Sequence, residues 1–589
     1  MAKIIFISLC LFFLSASTAF SADVNAVTLV FPIRDRQLWR SGQEISHLTK
    51  LVSITSAHRL PATWLIQYDA LYDEEIVTNL RELPSFNEVG LFLEVSRYQA
   101  ESNIVPYDFL SPWTASKNIF LSGYDLASRQ ILIDSAFEKF KSVFGYYPKS
   151  FGAWYIDVFS LEYIRDKYKA DVALGLADQY STDGYQSWGQ YINAPYYVSK
   201  KSAIEPSNSP EDNTGVLKVL WAPREPTLSY GGSVEQSNFS LQINDYYRGK
   251  GLNTAYFDRL LRALTLDVQA PLSQVTIGLE VSEIEQAFYP ELDRVIALIA
   301  KYHKEGKITP LTLSYFSNLF RETYQQDNPT FFIKSAQQGT SSYWYMSPNY
   351  RLGLFLEKDR LFIRDLRAYH QNGYRDNDQL FPDRHANLVR LVPASIDQVV
   401  YGNQIDLGFI DNLTVKQQDQ TVTITFSQDK RITLFPDRAE GEIEFYPQPK
   451  NRQPIRKNYC HNEFGQYQPP FSCLKKLIVY FSNYLPDIRY SKIDGNLILG
   501  LRSGPEHIFA VRLPKFKVGK FYFQFNVLDS FISLRKFLTP DFKWFGKQEF
   551  EVASYPPEKI VPKDSEYGQE HLLQKEKPVL ENGYYRVYP

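Results

Sequence analysis

The chain is poor in histidine and cysteine, and this scarcity limits the chemistry that it can support. Its 589 residues include 8 His and 3 Cys. No histidine lies between His58 and His303, and no two histidines fall within ten residues of each other. Because a zinc site takes about four ligands, drawn largely from Cys and His, the sequence predicts no metal site and no other cofactor.

The chain also lacks an excess of either charge and, beyond its N-terminus, a long apolar run. Lys and Arg total 64 against 66 Asp and Glu, so no basic surplus attracts nucleic acid or an anionic membrane. No later stretch offers the roughly 20 apolar residues that cross a membrane. Neither a glycine-rich phosphate loop nor a G-x-S-x-G elbow occurs. We therefore expect no nucleic-acid partner, no membrane span after signal removal and no serine nucleophile.

The N-terminus has the pattern of a secretory signal. One lysine precedes an apolar run from Ile4, and small residues surround a cleavage point near Ser21 or Ala22. The sequence thus predicts a signal peptide over residues 1–22 and a secreted or otherwise extracytoplasmic protein; an uncleaved anchor is the alternative. Removal of the signal leaves Cys460 and Cys473, for which export favours a disulfide over a pair of free buried thiols.

Residues 23–328 alternate short apolar strands with amphipathic helices. This rhythm is typical of parallel βα units, and seven or eight such strands favour an α/β barrel. An open doubly wound sheet is the alternative, but no glycine fingerprint follows any strand. Gly145 is expected to end one helix, and Ser160 to cap the start of the next. The predicted strands are 27–33, 62–67, 88–95, 150–156, 170–177, 216–223 and 275–281.

The second part of the chain has a different pattern. Alternating apolar and polar residues, separated by turn residues, predict an all-β sandwich over 329–450. Residues 451–555 are expected to form a second β module or to continue the sandwich. Residues 556–589 are rich in proline and charge, and we expect them to be extended or disordered.

Parallel barrels gather their functional side chains at the C-terminal ends of the strands. A single polar residue there is more often a loop residue or a salt-bridge partner. Here strand after strand ends in such a residue, and carboxylates that meet in one mouth separate into acid and base. Glu280 and Asp157 are the predicted catalytic pair, with Glu94 or Asp178 as substitutes. The predicted substrate-binding residues are Arg34, Glu94, Trp154, Asp178, Gln179, Asp183, Trp188 and Arg224.

The segment 177–197 combines carboxylates and amides with closely spaced Tyr and Trp. Such rings offer an apolar face and a polar edge, which suits a sugar ring and its hydroxyls. Asp178, Gln179, Asp183 and Trp188 are predicted to bind sugar for this reason. The alternative is a long ordered loop that packs against its own barrel.

Residues 27–96 resemble the start of the polysaccharide deacetylase family. The resemblance lies in an apolar first strand, the second-strand segment 62–65 (ATWL) and the segment 88–91 (EVGL). It implies a deacetylase-like barrel over residues 25–325. The family's first strand ends in two aspartates and a His-x3-His pair follows, whereas this chain has VFPI at 30–33 and no histidine near 91–96. The missing ligands argue against metal-dependent deacetylation.

The strand rhythm also resembles the barrels of α-glycosidases such as glycoside hydrolase family fifty-seven, which use two acidic catalysts. The stretch GLFLEVS at 90–96 has an echo, GLEVSE, at 278–283. The sequence therefore predicts an exported protein that engages a glycan or polysaccharide at the barrel mouth. It would act there as a metal-independent glycoside hydrolase or as a binding protein without a reaction; the alternative is an inactive structural or surface interaction protein.

Overall fold

The computed structural model describes two large parts of the chain and a set of later strands. The described residues are 23–35, 44–182, 184–370, 382–384, 386–392, 394, 396–400, 402, 404–426 and 430–444, followed by nine strands between 490 and 586. The predicted signal peptide, Asp183, and the predicted disulfide between Cys460 and Cys473 lie outside them. Within the described residues, no helix is both long and apolar enough to cross a membrane.

The first part of the chain contains eleven strands. They are β1 (Val24–Ile33), β2 (Thr63–Gln67), β3 (Glu88–Phe92), β4 (Ser150–Gly152), β5 (Val172–Leu176), β6 (Gln179–Thr182), β7 (Tyr185–Trp188), β8 (Tyr196–Ser199), β9 (Asn213–Trp221), β10 (Leu272–Gly278) and β11 (Thr309–Leu311). Seven of them pair in parallel in the order β10-β1-β2-β3-β4-β5-β9, while β8 adds antiparallel to β9 and β11 parallel to β1. All seven predicted strands are in this run.

The parallel run curls until its edge strands β9 and β10 lie against each other. Trp221 at the end of β9 reaches Gly278 at the end of β10, where an added Cβ would come within 2.8 Å of the Trp221 ring and 1.7 Å of the Val30 carbonyl oxygen. Only glycine fits that approach. The predicted fold class, an α/β barrel followed by a β-rich region, is confirmed.

Helices connect the strands around the barrel. They are α1 (Glu44–Ala57), α2 (Glu74–Arg81), α3 (Arg97–Ser102), α4 (Ser116–Ile119), α5 (Leu126–Phe144), α6 (Val158–Tyr168), α7 (Val234–Ser237), α8 (Thr254–Leu264), α9 (Tyr289–Lys304) and α10 (Leu313–Tyr324), with a π-helical turn at Asn244–Gly249. Gly145 ends α5 with φ 84°, as predicted. The prediction that Ser160 caps α6 is wrong. Asp157 is the cap, because its carboxylate accepts both the Ser160 N–H at 3.1 Å and the Ser160 hydroxyl at 2.7 Å.

The second part of the chain is mainly antiparallel, although its strand Leu388–Leu391 pairs in parallel with β7. Its strands are β12 (Phe331–Gln337), β13 (Thr340–Met346), β14 (Tyr350–Glu357), β15 (Arg360–Ala368), β16 (Leu388–Leu391), β17 (Ile396–Asp397), β18 (Ile405–Phe409), β19 (Leu413–Gln418), β20 (Thr421–Phe426), β21 (Lys430–Phe435) and β22 (Arg438–Glu444). One sheet contains β12 to β15 with β17 and β18, and β19 to β22 belong to another. The two sheets share an apolar core. The domain limits at 328, 450 and 555 remain predictions.

Nine later strands are described, and the first six of them extend the second sheet. They are β23 (Tyr490–Ile493), β24 (Asn496–Ser503), β25 (His507–Leu513), β26 (Lys520–Leu528), β27 (Phe531–Leu538), β28 (Gln548–Ser554), β29 (Val561–Pro562), β30 (Val579–Glu581) and β31 (Tyr584–Arg586). The sheet runs β19-β20-β21-β22-β26-β27-β28-β25-β24-β23, and β29 to β31 form a small separate sheet.

A buried charge network joins the barrel to the first antiparallel sheet. Arg351 donates to both oxygens of Asp365, at 3.0 and 2.7 Å, and also to Asp178 of the barrel. Arg367 bonds to Asp365 and to Asp397, whose carboxylate accepts the indole N–H of Trp188 at 2.8 Å. Both arginines and Asp365 are fully buried. The segment after β5 is therefore fixed to the sheet by paired charges.

Replacing Arg351 by Ala is expected to lower the free energy of unfolding by about 3 to 5 kcal/mol, because Asp365 and Asp178 would each lose a buried partner. Equilibrium denaturation by urea, followed by tryptophan fluorescence, measures the change. The control is Arg248→Ala, which breaks an ion pair with Glu285 whose side chains are 58% and 50% exposed and should cost less than about 1 kcal/mol. Equal losses in the two variants would contradict a stabilising role for the network.

Candidate functional site

The C-terminal ends of three barrel strands meet around one guanidinium group. Arg34 follows β1 directly, and Glu94 and Glu280 each lie two residues beyond the end of a strand, β3 and β10. Arg34 donates from Nε and Nη2 to the two oxygens of Glu94, at 2.5 and 2.8 Å. From Nη1 it donates to Oε2 of Glu280. We refer to Arg34, Glu94 and Glu280 as the arginine–glutamate triad.

The two glutamates occupy equivalent places in the sequence echo. Each stands between an apolar Leu and an apolar Val, in the segments 93–95 and 279–281, and all four apolar side chains are buried. Successive side chains of an extended segment point to opposite sides. The Leu and Val side chains therefore pack on one side, which directs each glutamate to the other side, where Arg34 lies. The two repeated segments therefore supply the two glutamates that accept hydrogen bonds from the Arg34 guanidinium.

The triad is almost closed to solvent and surrounded by aromatic rings. Arg34, Glu94 and Glu280 are 3%, 0% and 7% exposed. The guanidinium carbon lies 5.3 Å from the ring centroid of Phe92, 6.0 Å from that of Trp113 and 5.6 Å from that of Trp154. A guanidinium is weakly hydrated and packs well on aromatic faces. Trp154, a predicted binding residue, therefore belongs to the mouth.

The triad contains one cationic group and two carboxyl groups. This charge imbalance favours a proton on one of the carboxyl groups. Burial raises the pKa of Glu280 to about 8, and the negative charges of Glu283 and Glu94 add to the increase, while Arg34 opposes it. Unpaired charge in a buried site is costly. A proton on Glu280 leaves the triad electrically neutral, so the buried site favours the protonated form of Glu280.

Asp69 lies beside the mouth, two residues beyond the end of β2, the offset that Glu94 and Glu280 also have. The strand-end rule includes it, although the predicted binding residues do not. The hydroxyl of Ser96 donates to Asp69. Burial raises the pKa of Asp69 to about 6, with a smaller increase from Asp35, although the Ser96 bond lowers it.

Asp157 and Asp178 each pair with an arginine other than Arg34. Asp157 is fully buried, accepts a hydrogen bond from Arg129 at 2.8 Å and caps α6. Asp178 pairs with Arg351 and accepts the Gly189 N–H at 3.1 Å; burial raises its pKa. Catalysis by Glu280 and Asp157 stays a prediction, and the contacts of Asp157 give it a structural role.

The aromatic segment 177–197 packs against the rest of the protein. Trp188 is 2% exposed and its ring lies 5.5 Å from that of Tyr230. Gln179 accepts a hydrogen bond from Arg224 at 2.7 Å, and both side chains are buried. Substrate binding by these side chains stays a prediction, and their burial counts against it. The buried tyrosines of the segment are Tyr180, Tyr185, Tyr191, Tyr196 and Tyr197.

The mouth does not fit a divalent metal ion. The resembled family has aspartates where the first strand ends, whereas this chain places the cationic Arg34 there, and a guanidinium repels a metal cation. In the part of the chain that the structure describes, no three His, Cys, Asp or Glu side chains are grouped so that they could hold a metal ion.

Comparison with known proteins gives structural matches alone. No protein-family model matches the chain, and no curated protein matches it. A Parabacteroides distasonis protein described as a glycoside hydrolase/deacetylase is 16% identical, with a TM-score of 0.46, and the match covers 62% of this chain and 91% of that one. A Mycobacterium smegmatis protein described as a polysaccharide deacetylase is 13% identical, with a TM-score of 0.30, over 51% of this chain and 94% of that one.

The peptidoglycan deacetylase PdaC from Bacillus subtilis is 11% identical, with a TM-score of 0.24, over 51% of this chain and 94% of its own. The predicted resemblance is thus confirmed to the extent that deacetylases and a glycoside hydrolase/deacetylase are among the matching structures. The fold assignment rests on the strand order.

Replacing Glu280 by Gln is expected to remove one component of the pH dependence of stability. The pKa of Glu280 rises from 4.5 to about 8 on folding, so its contribution is complete below pH 4.5 and is lost as the pH rises to 8. The wild type should therefore lose on the order of 3 kcal/mol relative to Glu280→Gln between pH 5 and pH 8. Urea denaturation at each pH measures this difference.

The control for that series is Glu82→Gln, which changes an exposed carboxyl group of the same barrel. Its stability should follow the wild type at every pH. If the stability of Glu280→Gln also runs parallel to the wild type from pH 5 to pH 8, the protonation assigned to the triad is wrong.

Proposed function

We propose that this chain binds a glycan at the C-terminal mouth of its barrel and does not cleave it. The observation that carries the proposal is the pairing of Arg34 with both glutamates of the triad. Export, for which the predicted signal peptide over residues 1–22 is the support, is part of the proposal. The mouth supplies the binding surface, and the triad forms the rigid base beneath that surface.

The geometry of the triad argues against hydrolysis. A glycosidase needs two carboxyl groups that face the scissile bond, one to protonate the leaving oxygen and one to act as nucleophile or base. Both oxygens of Glu94 are bonded to Arg34 in a bidentate pair, which is among the stronger polar contacts in proteins. Glu94 therefore has no oxygen directed away from Arg34 that could attack a sugar or activate a water molecule.

The surroundings of the triad support binding. Trp113 is half-buried beside Arg34, so part of its ring reaches the surface of the mouth. Trp154 packs against Phe92 and Trp221, at centroid distances of 5.0 and 5.5 Å, and is buried, so it supports the mouth from within and does not face a ligand. An indole presents an apolar face and one N–H donor, a combination that suits the C–H face and the hydroxyls of a sugar.

One observation favours a second candidate function, a metal-independent glycoside hydrolase. With a pKa raised to about 8 by burial, Glu280 carries a proton at neutral pH, as a general acid must. In that case Arg34 would have to release Glu94 when the sugar binds, so that a second carboxylate becomes free. The two functions differ in whether products form.

The direct test combines binding with product analysis. Purified protein is titrated calorimetrically with chitohexaose, cellohexaose and maltohexaose, and the same mixtures are analysed by mass spectrometry for shortened chains and by enzymatic assay for acetate. We expect at least one hexasaccharide to bind, with no shortened chain and no acetate. Trp113→Ala should weaken that binding about tenfold, or about 1.4 kcal/mol, while Tyr315→Ala should leave it unchanged.

Tyr315 is a suitable control because it is 68% exposed at the opposite end of the barrel. It lies in α10, whose first amides bond to Thr63 and Glu88 at the starts of β2 and β3. Shortened chains that disappear in Glu280→Gln would establish the hydrolase instead. Binding of none of the three hexasaccharides would refute the proposal and leave the structural or surface interaction protein.

A further inference from the structure

Exposed aromatic side chains concentrate beside the mouth, in the segments that follow β2 and β3. Tyr72 and Tyr98 are each 48% exposed, and Phe109 is 58% exposed. Tyr72 ends a short 3-10 turn, Asp69–Tyr72, that begins two residues after β2, and Tyr98 lies in α3, which follows β3. The C-terminal ends of parallel strands share one edge of a barrel. These rings therefore lie on the side of the barrel that carries the triad.

The rings contact one another. Tyr68, Tyr72 and Tyr98, which we refer to as the tyrosine cluster, have centroid distances of 5.4 Å (Tyr68–Tyr72), 6.3 Å (Tyr68–Tyr98) and 5.4 Å (Tyr72–Tyr98). The hydroxyls of Tyr68 and Tyr72 are 2.9 Å apart. Lys139 Nζ lies 3.7 Å from the Tyr72 centroid and holds that ring in place. The cluster is thus an ordered surface of apolar faces with hydroxyls at its rim, a combination that favours ligand contact.

Polar groups with unused bonding capacity adjoin the tyrosine cluster. Asp69, next in the chain to Tyr68, is partly exposed and receives one hydrogen bond, from Ser96, within the described residues. The hydroxyl of Tyr107 is buried and has no hydrogen-bond partner among those residues. Burial raises the pKa of Tyr107, the charge of Arg97 opposes the increase and that of Asp69 adds to it, so the hydroxyl lies near both charges. A carboxylate and a phenol hydroxyl beside aromatic faces can accept and donate hydrogen bonds to a sugar's hydroxyl groups.

The tyrosine cluster is continuous with the mouth. The Ser96–Asp69 hydrogen bond joins the segment after β2 to the segment 93–96, which carries Glu94 of the triad. Gln67, the last residue of β2, adds a second link from its side-chain amide to the Glu94 carbonyl, at 3.3 Å. A ligand chain that extends outward from the mouth along these segments would reach Asp69 first and then the rings of Tyr72 and Tyr98.

We propose that the tyrosine cluster and Asp69 form an outer subsite, which binds the sugar units of a glycan chain that extend beyond the unit held at the mouth. The inference rests on the proposed function and deepens it, because it makes the ligand a chain of several sugars instead of a mono- or disaccharide. Stacking at Tyr72 and Tyr98 supplies affinity, and Asp69 orients the hydroxyls of the stacked unit.

The test compares short and long oligosaccharides on the full-length protein. Chitobiose and chitohexaose, cellobiose and cellohexaose, and maltose and maltohexaose are titrated calorimetrically against the wild type, Tyr72→Ala and Tyr98→Ala. In the series that binds, the wild type should prefer the hexasaccharide by more than about tenfold. Each alanine variant should lose about tenfold in affinity for the hexasaccharide and less than about twofold for the disaccharide.

Two controls separate stacking from folding. Tyr72→Phe keeps the ring and should keep most of the affinity for the hexasaccharide, and Tyr315→Ala removes a more exposed ring at the opposite end. Circular dichroism melting curves of all variants should coincide with the wild type, because the substituted rings are half-exposed. Asp69→Asn should weaken hexasaccharide binding in the same way as the alanine variants.

The outcomes distinguish the two proposals. If the wild type binds a hexasaccharide but Tyr72→Ala and Tyr98→Ala bind it equally well, the outer subsite is refuted and the mouth proposal stands. If the wild type binds none of the six sugars, both proposals fail. A loss of affinity that is as large for the disaccharide as for the hexasaccharide would place these tyrosines in the mouth itself and would also refute the outer subsite.

Discussion

A buried guanidinium group needs a carboxylate partner and acceptors for its N–H groups, and this requirement organises both the mouth and the joint of the protein. At the mouth, Arg34 draws together glutamates from two strands that are not neighbours in the sheet. At the joint, Arg351 and Arg367 bind carboxylates from the barrel and from the first antiparallel sheet. Removing one partner would leave the others charged in a medium of low polarity. The charges therefore fix the relative positions of elements that are distant in sequence.

The same requirement accounts for the pairing of the strand-end carboxylates of the barrel. Glu94, Glu280, Asp157 and Asp178 each have an arginine partner, and the first two share theirs. Three different arginines are involved, so neutralisation is a repeated feature of this barrel. Under the proposed function, binding is assigned to groups with exposed surface, the partly exposed Asp69 and the half-exposed rings of Tyr72 and Tyr98.

The fold could be predicted from sequence because each barrel strand is a short apolar run buried on both faces, and such runs are visible one at a time. The site could be predicted only in part. The strand-end rule found Arg34, Glu94 and Glu280, and the echo marked the two glutamates. An ion pair between distant segments, such as Asp178 with Arg351, leaves no local pattern in the sequence. The strand-end rule therefore could not separate buried ion-pair residues from candidate binding residues. The burial of the aromatic segment 177–197 could not be predicted for the same reason, because the sheet that covers it begins more than a hundred residues later in the chain.

The most direct test of the central claim is a crystal structure of the protein with a hexasaccharide that binds it. The account predicts an intact sugar chain over the mouth and the tyrosine cluster, with Arg34 still bonded to both Glu94 and Glu280. A displaced Arg34, with the two glutamates on either side of a glycosidic oxygen and their carboxyl groups about 5 to 5.5 Å apart as in a retaining glycosidase, would contradict it and would make the barrel an enzyme.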